Sequence, residues 1–422
     1  MFATLSLLLA SVLAPPALPP RADRQSLAIR LQQTDAAWME QKDVTKRRAA
    51  VPLISEAVTG FFSGRFDASS RSLDRALLIL EGETISDSAQ LPESMAVDAV
   101  PYRTLLGSGE DFVIRLRVAY SPDPQNFEPV AVRRGSKGVE LNIGESESIS
   151  VPASELKEGE NSIEVRIGDT TRRFPVFVDP GLEKRLDRAR ASELPIAKGF
   201  IELARTQDQA ETVPEWSEVI ETLEAALAAR PIEGEVRLAH SGNTWLRAWL
   251  PKDFSPTTPV VIAVHGAGGS ENLFFDGYGA GIAIEEAKKR GWAIVAPRLG
   301  NRCIEDSLEF LKTQAGGSPE TVYLMGHSAG GAMILRSGAA TEPKKVALFA
   351  PAGNSIPEAL QSVPIYLALG AQEIPLLAAG ARAMQRQMQD APTFQFQLFD
   401  PCEHYMIVGD AVPAAFRFFS EK

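Results

Sequence analysis

The sequence predicts an α/β protein, with a doubly wound, mostly parallel sheet in its C-terminal part preceded by a helical segment and a small all-β, sandwich-like region. Three observations predict it. Buried-strand runs such as Val260-Val261-Ile262-Ala263-Val264 and Pro364-Ile365-Tyr366-Leu367-Ala368-Leu369 alternate with helical stretches from residue 234 onward. Between residues 100 and 178 the apolar positions instead recur at every second residue. The run Thr321-Val322-Tyr323-Leu324-Met325 stops at Gly326-His327-Ser328-Ala329-Gly330, a glycine-flanked corner that turns a strand sharply into a helix.

In chain order, residues 1–14 form a short apolar run, and the proline-rich stretch Pro15 to Pro20 follows it. The run has the length of a secretory h-region, with small residues at Ala14 and Ala17 where a peptidase would cut, although no basic residue precedes it. Residues 1–20 therefore read as a signal peptide, and the protein as exported, periplasmic or extracellular. Residues 21–99 read as helical, with a helical hairpin around Phe61 to Ala76 that resembles a single tetratricopeptide unit. Residues 100–180 give short alternating strands: Phe112 to Val118, Val139 to Ile143, Ser162 to Ile167 and Thr171 to Val178. Glu158-Gly159-Glu160-Asn161 and Gly168-Asp169-Thr170 read as turns. Such a region could bind a substrate chain, cover a site or stiffen the molecule. Helical segments at 181–233 lead into a catalytic-type domain at 234–422, which opens on a hairpin spanning Glu235 to Trp245.

The corner at Ser328 exposes a hydroxyl at the carboxyl edge of the sheet, which makes it a candidate nucleophile. A serine hydroxyl needs a base within hydrogen-bond reach. Of the four histidines, His240 reads as an exposed turn residue, and His327 as packing beside the strand and pointing away. His265 belongs to the glycine-rich segment after Val264. His404 follows the strand Thr393 to Phe399 and precedes the C-terminal helix, the place for the base. Glu373, three residues past Gly370 at the end of a strand, is the candidate acid that orients it. Asp400 and Glu403, which flank the histidine, are its rivals. Oxyanion donors are expected at the amide of Ala329 and that of Ala267 or Gly268, within His265-Gly266-Ala267-Gly268-Gly269.

His265 to Gly269, Gly326 to Gly331, Gly370 to Glu373 and His404 together resemble the α/β-hydrolase superfamily. Ser318-Pro319-Glu320-Thr321-Val322-Tyr323-Leu324 resembles the poly(hydroxyalkanoate) depolymerase, feruloyl esterase and dienelactone hydrolase branch. The resemblance covers about the last two-fifths of the chain and is specific to the superfamily, not to a substrate. It implies a serine hydrolase cleaving carboxylic esters through an acyl-enzyme, with no cofactor. A prolyl-oligopeptidase-type peptidase is the alternative within enzymes; a non-catalytic binding protein that kept the fold is the alternative outside them.

Composition removes other classes. A net charge of −11, and no basic patch interleaved with aromatics, argue against nucleic acid as partner. No stretch reaches the length of a membrane span. No His-Glu-x-x-His or Cys-x-x-Cys spacing occurs, so no metal is expected. Cys303 and Cys402 both fall on the expected carboxyl edge, as a disulfide bracing the histidine loop or as two buried thiols. Only a short loop and one helix separate the strand Val346 to Ala350 from Pro364, which leaves no room for a lid there. The site is then open to small-molecule or polymeric esters unless the N-terminal region covers it. Phe274 and Phe275, in the loop Asn272 to Gly279, read equally as pocket lining and as core.

Overall fold

The computed structural model describes residues 22–83, 91, 93–120, 130–134, 137–141, 148–167, 170–207 and 213–421. The expected signal peptide and the turn at Gly168-Asp169 lie outside them. Three helices come first: α1 (Arg24–Glu40), α2 (Val44–Phe62) and α3 (Phe66–Glu81). Asp23 caps α1 by accepting from the amide of Ser26, and Asp43 caps α2 through Thr45. Gly82, in the left-handed conformation, ends α3.

The β region follows, with β1 (Val97–Pro101), β2 (Leu105–Leu106), β3 (Phe112–Val118), β4 (Val130–Arg134), β5 (Lys137–Leu141), β6 (Ser148–Val151), β7 (Gly159–Ile167) and β8 (Thr170–Val178). One sheet has the order β1-β3-β6 and the other β2-β8-β7-β4-β5. Their apolar faces share one core, in which Phe112, Ile114 and Leu116 meet Ile163, Val165, Phe174 and Val176. Strand β7 starts at Gly159, so the expected turn at Glu158 to Asn161 belongs mostly to a strand. Asn161 ties the preceding loop instead, bonding Lys157 through both its amide nitrogen and its oxygen.

Helices α4 (Leu182–Arg190), α5 (Pro195–Arg205) and α6 (Trp216–Leu227) form a small core of their own around Phe200, Trp216 and Leu223. The catalytic-type domain then runs through β9 (Gly234–Ser241), β10 (Thr244–Leu250), β11 (Val260–Val264), α7 (Leu273–Asp276), α8 (Tyr278–Arg290), β12 (Ala293–Pro297) and α9 (Cys303–Gln314). It continues with β13 (Val322–His327), α10 (Ala329–Ser337), β14 (Lys345–Phe349), α11 (Glu358–Gln361), β15 (Ile365–Gly370), α12 (Pro375–Gln387), β16 (Phe394–Phe399) and α13 (Ile407–Ser420).

These strands make one eight-stranded sheet of order β16-β15-β14-β13-β11-β12-β10-β9. Only β10 runs antiparallel to its neighbours; the pairs from β12 across to β16 are parallel. The central strands are buried along their whole length, which is why they read as continuous apolar runs. After β12 the chain crosses to the other side of β11 and adds β13, so strand order reverses between these two strands. Ligand sites of open parallel sheets lie at such a point. Among the described residues no helix is long and apolar enough to cross a membrane.

Trp38, Ala50, Val51, Ile54, Ala76 and Leu80 from α1–α3 belong to the same core as the central strands. The N-terminal helices are therefore packed on the catalytic-type domain, far from them in sequence.

Candidate active site

The pairing of Val264 with Gly326 sets the ends of β11 and β13 side by side. The glycine-rich segment 265–269 and the corner at Ser328 consequently leave the sheet together. Ser328 has φ 50° and ψ −115°, a strained conformation for a residue with a side chain. The corner is tight enough that a Cβ on Gly330 would lie 2.0 Å from the Val264 carbonyl oxygen. Serine is thus lifted out of the sheet while its flanks stay bare.

His404 arrives from the loop after β16, and its Nε2 lies 3.1 Å from Ser328 Oγ. Its Nδ1 lies 2.7 Å from Glu373 Oε1, and the glutamate side chain is fully buried. The structure thereby brings together Ser328, His404 and Glu373, and sets the two rivals apart. Asp400 is half exposed and pairs with Arg48 at 3.1 Å. Glu403 is buried but turned inward, accepting from the amides of Tyr405 (2.9 Å) and Met406 (2.7 Å) ahead of α13. Burial pushes its carboxyl up to about 7, against the pull of those two amides.

Ala329 is the first residue of α10, so its amide has no acceptor within the helix. Ala267 and Gly268 line the same cavity as Ser328 and His404. Gly268 has φ +77° and faces Phe61 of α2, where an added Cβ would lie 2.5 Å from the ring. Arg24 of α1 donates to the Gly268 carbonyl, with its guanidinium 5.6 Å from the Phe61 ring centre. The N-terminal helices thus prop the segment that carries the candidate oxyanion donors.

Two of the other three histidines, His327 and His240, sit differently from their sequence readings. His327 does not point away from the site. Its Nδ1 lies 2.7 Å from the Tyr278 hydroxyl and its Nε2 2.9 Å from the His404 carbonyl oxygen. The Gly266 amide donates to that same hydroxyl at 3.2 Å. The hydroxyl therefore donates to Nδ1, and Nε2–H donates to the carbonyl. Burial holds this imidazole well below its usual pKa, so it is neutral. One histidine thus ties the oxyanion segment to the backbone of His404. Sequence reasoning missed it because Tyr278 lies 49 residues away and has no motif of its own. His265 accepts from the Leu299 amide at 2.9 Å, and its Nδ1 is 2.7 Å from the Gly266 carbonyl oxygen. His240 is a strand residue of β9 packed against Trp245, with centroids 4.4 Å apart and the rings tilted by 52°, rather than a turn residue.

The cavity above Ser328 has a volume of about 140 Å³. Its far wall is α1–α3, so the N-terminal helices do cover the site. Phe274 and Phe275 are buried in the core, whereas Leu273 and Tyr278 line the cavity. Cys303 and Cys402 are free thiols, both buried.

The sheet order, the strained serine corner and the placing of the acid and histidine after the last strands are those of an α/β-hydrolase. This is the α/β-hydrolase fold. No family model matches the chain, and no curated protein matches it. Solved structures do match over part of the chain. S-formylglutathione hydrolase FrmB from Staphylococcus aureus is 12% identical, with 42% of this chain and 90% of that chain covered and a TM-score of 0.35. Est1E from Butyrivibrio proteoclasticus is 14% identical over 44% of this chain and 98% of its own, with a TM-score of 0.35. A ferulic acid esterase is 16% identical over 42% and 92%, again with a TM-score of 0.35.

Proposed function

We propose that the protein is a serine-dependent carboxylic ester hydrolase, with Ser328 as nucleophile, His404 as base and Glu373 as the acid that orients it. The observation that carries this reading is the 3.1 Å approach of His404 Nε2 to a serine held at positive φ, with Glu373 2.7 Å behind the ring. As Ser328 Oγ bonds to the ester carbonyl carbon, His404 takes its proton. The carbonyl oxygen gains the negative charge and sits against the amides of Ala329 and of Ala267 or Gly268. His404 then gives the proton to the leaving alcohol as the acyl–oxygen bond breaks. Water, deprotonated by the same imidazole, releases the acid and restores the serine. The reaction needs no cofactor. Export of the chain belongs to the same proposal and is supported by the apolar run at residues 1–14.

Hydrolysis of p-nitrophenyl esters by the purified protein and by Ser328→Ala tests the reading. The variant should lose several powers of ten in kcat, together with labelling by a fluorophosphonate probe. Turnover that survives in Ser328→Ala overturns it. Peptide p-nitroanilides assayed alongside should be cleaved far more slowly than the esters; the reverse ranking would favour a peptidase.

A further inference from the structure

We propose that α1, α2 and α3 form a binding subsite for an uncharged apolar group of the ester, about the size of a phenyl ring or a butyl-to-hexyl chain. The inference deepens the esterase reading and rests on it. Leu27 and Leu31 of α1 lie one turn apart on one face. Ala57, Val58 and Phe61 of α2 repeat that spacing, and Leu73 of α3 joins them. All six line the cavity that contains Ser328 and His404. Leu27, Ala57 and Leu73 also form a small cluster of their own, with Phe61 packed against it, while Leu31 and Val58 reach the main core as well.

The polar side chains that the helices add to the lining are Arg24, Gln32 and Ser69. Arg24 is bonded to the Gly268 carbonyl, and Ser69 donates to the Ala57 carbonyl at 2.9 Å. Arg24 is exposed, so its charge stays at the solvent edge of the lining, and burying a charged group among these leucines would be costly. An engineered apolar cavity of roughly 150 Å³ takes up benzene; this one measures about 140 Å³. The size and chemistry of the occupant follow from the two together. The group can belong to the acyl or to the alcohol half of the ester.

The test measures kcat/KM in two series, p-nitrophenyl acetate to hexanoate and ethyl to hexyl acetate, for the wild type, Ala57→Trp and Val58→Ala. One series should rise about fourfold per added methylene in the wild type. Ala57→Trp should flatten that series, losing roughly tenfold or more on the six-carbon ester with little change on the shortest. Val58→Ala, which removes only two methyls, should extend the rise to longer chains and serves if the tryptophan variant does not fold. Flat wild-type series, or equal losses on short and long esters, overturn the subsite and leave the esterase reading standing. Calorimetric binding of 1-hexanol to Ser328→Ala reads the subsite without the reaction. Hexanol binding that Ala57→Trp abolishes, together with a wild type that turns over no ester, keeps the subsite and removes the esterase assignment.

Discussion

Single residues in this site were legible wherever the chemistry itself dictates a residue type. A candidate nucleophile at a strand-to-helix corner, a candidate base before a helix and a carboxylate after a strand can be singled out by order and spacing, which is how Ser328, His404 and Glu373 stood out. Choosing Glu373 over Glu403 required more, because both carboxylates lie near His404 and only side-chain direction separates them. Replacing Glu373 by Gln should keep the fold and lower kcat by about ten-thousandfold, as loss of the orienting acid does in serine proteases. The His327 bridge was illegible because its partners are a distant tyrosine and two backbone groups. Tyr278→Phe should slow kcat about tenfold, since it leaves the Gly266 amide and His327 Nδ1 without the hydroxyl that bonds both. Asp35, on α1, gives a prediction of a different kind. Burial pushes its carboxyl up to about 7, helped by the charges of Glu403 and Asp410 and opposed by the Gly279 amide and the Tyr405 hydroxyl. The folded state therefore holds a proton that the unfolded chain releases near the ordinary carboxylate pKa of 3.8. Its contribution is fully present below that value and is lost as pH rises through 7. Asp35→Asn keeps the acceptor for Gly279, so its melting temperature should gain on the wild type between about pH 4 and pH 7 and hold a constant lead above.

Among elements, the strands of the large sheet were the most legible. Strands buried on both faces read as unbroken apolar runs, and β11 was read from sequence with the same ends that it has in the structure. Strands β1, β2, β4 and β6 are short and carry weaker patterns, and they escaped notice. The fixing of α1 was equally hidden, since it depends on ion pairs between remote segments. Arg30, almost fully buried, lies 3.0 Å from Asp74 of α3 and 2.8 Å from Asp98 of β1. Tyr120 donates to Asp74 at 2.7 Å, and Ser26 donates to Asp98. This cluster joins the helices to the β region. Arg30→Ala would leave Asp74 without its cation and Asp98 with only Arg172, 3.9 Å away, and should cost about 3–5 kcal/mol, read as a lowered urea midpoint with the m-value unchanged.

For the molecule as a whole, the covering of the site by the N-terminal helices could not be read from the chain. The contacts that dock them span hundreds of residues: Gly279 donates to Asp35 at 2.9 Å, and Trp38 donates to Asp410 at 3.2 Å. Periodicity reports which face of a helix is apolar and says nothing of what that face meets. Because Trp38, Ile54 and Leu80 share the core of the central strands, α1–α3 should open with the sheet and not ahead of it. Hydrogen exchange should show their buried amides as protected as those of β11 and β13. The same placement has a consequence for biosynthesis. The helices are made well before the partners they need, since Asp410 follows the end of α3 by more than three hundred residues. At roughly 5–20 residues per second, a ribosome takes tens of seconds over that interval. For that time the nascent chain presents Trp38, Ile54 and the cavity-lining leucines before α13 is there to receive the helices that carry them, and it must be kept from its neighbours until α13 emerges.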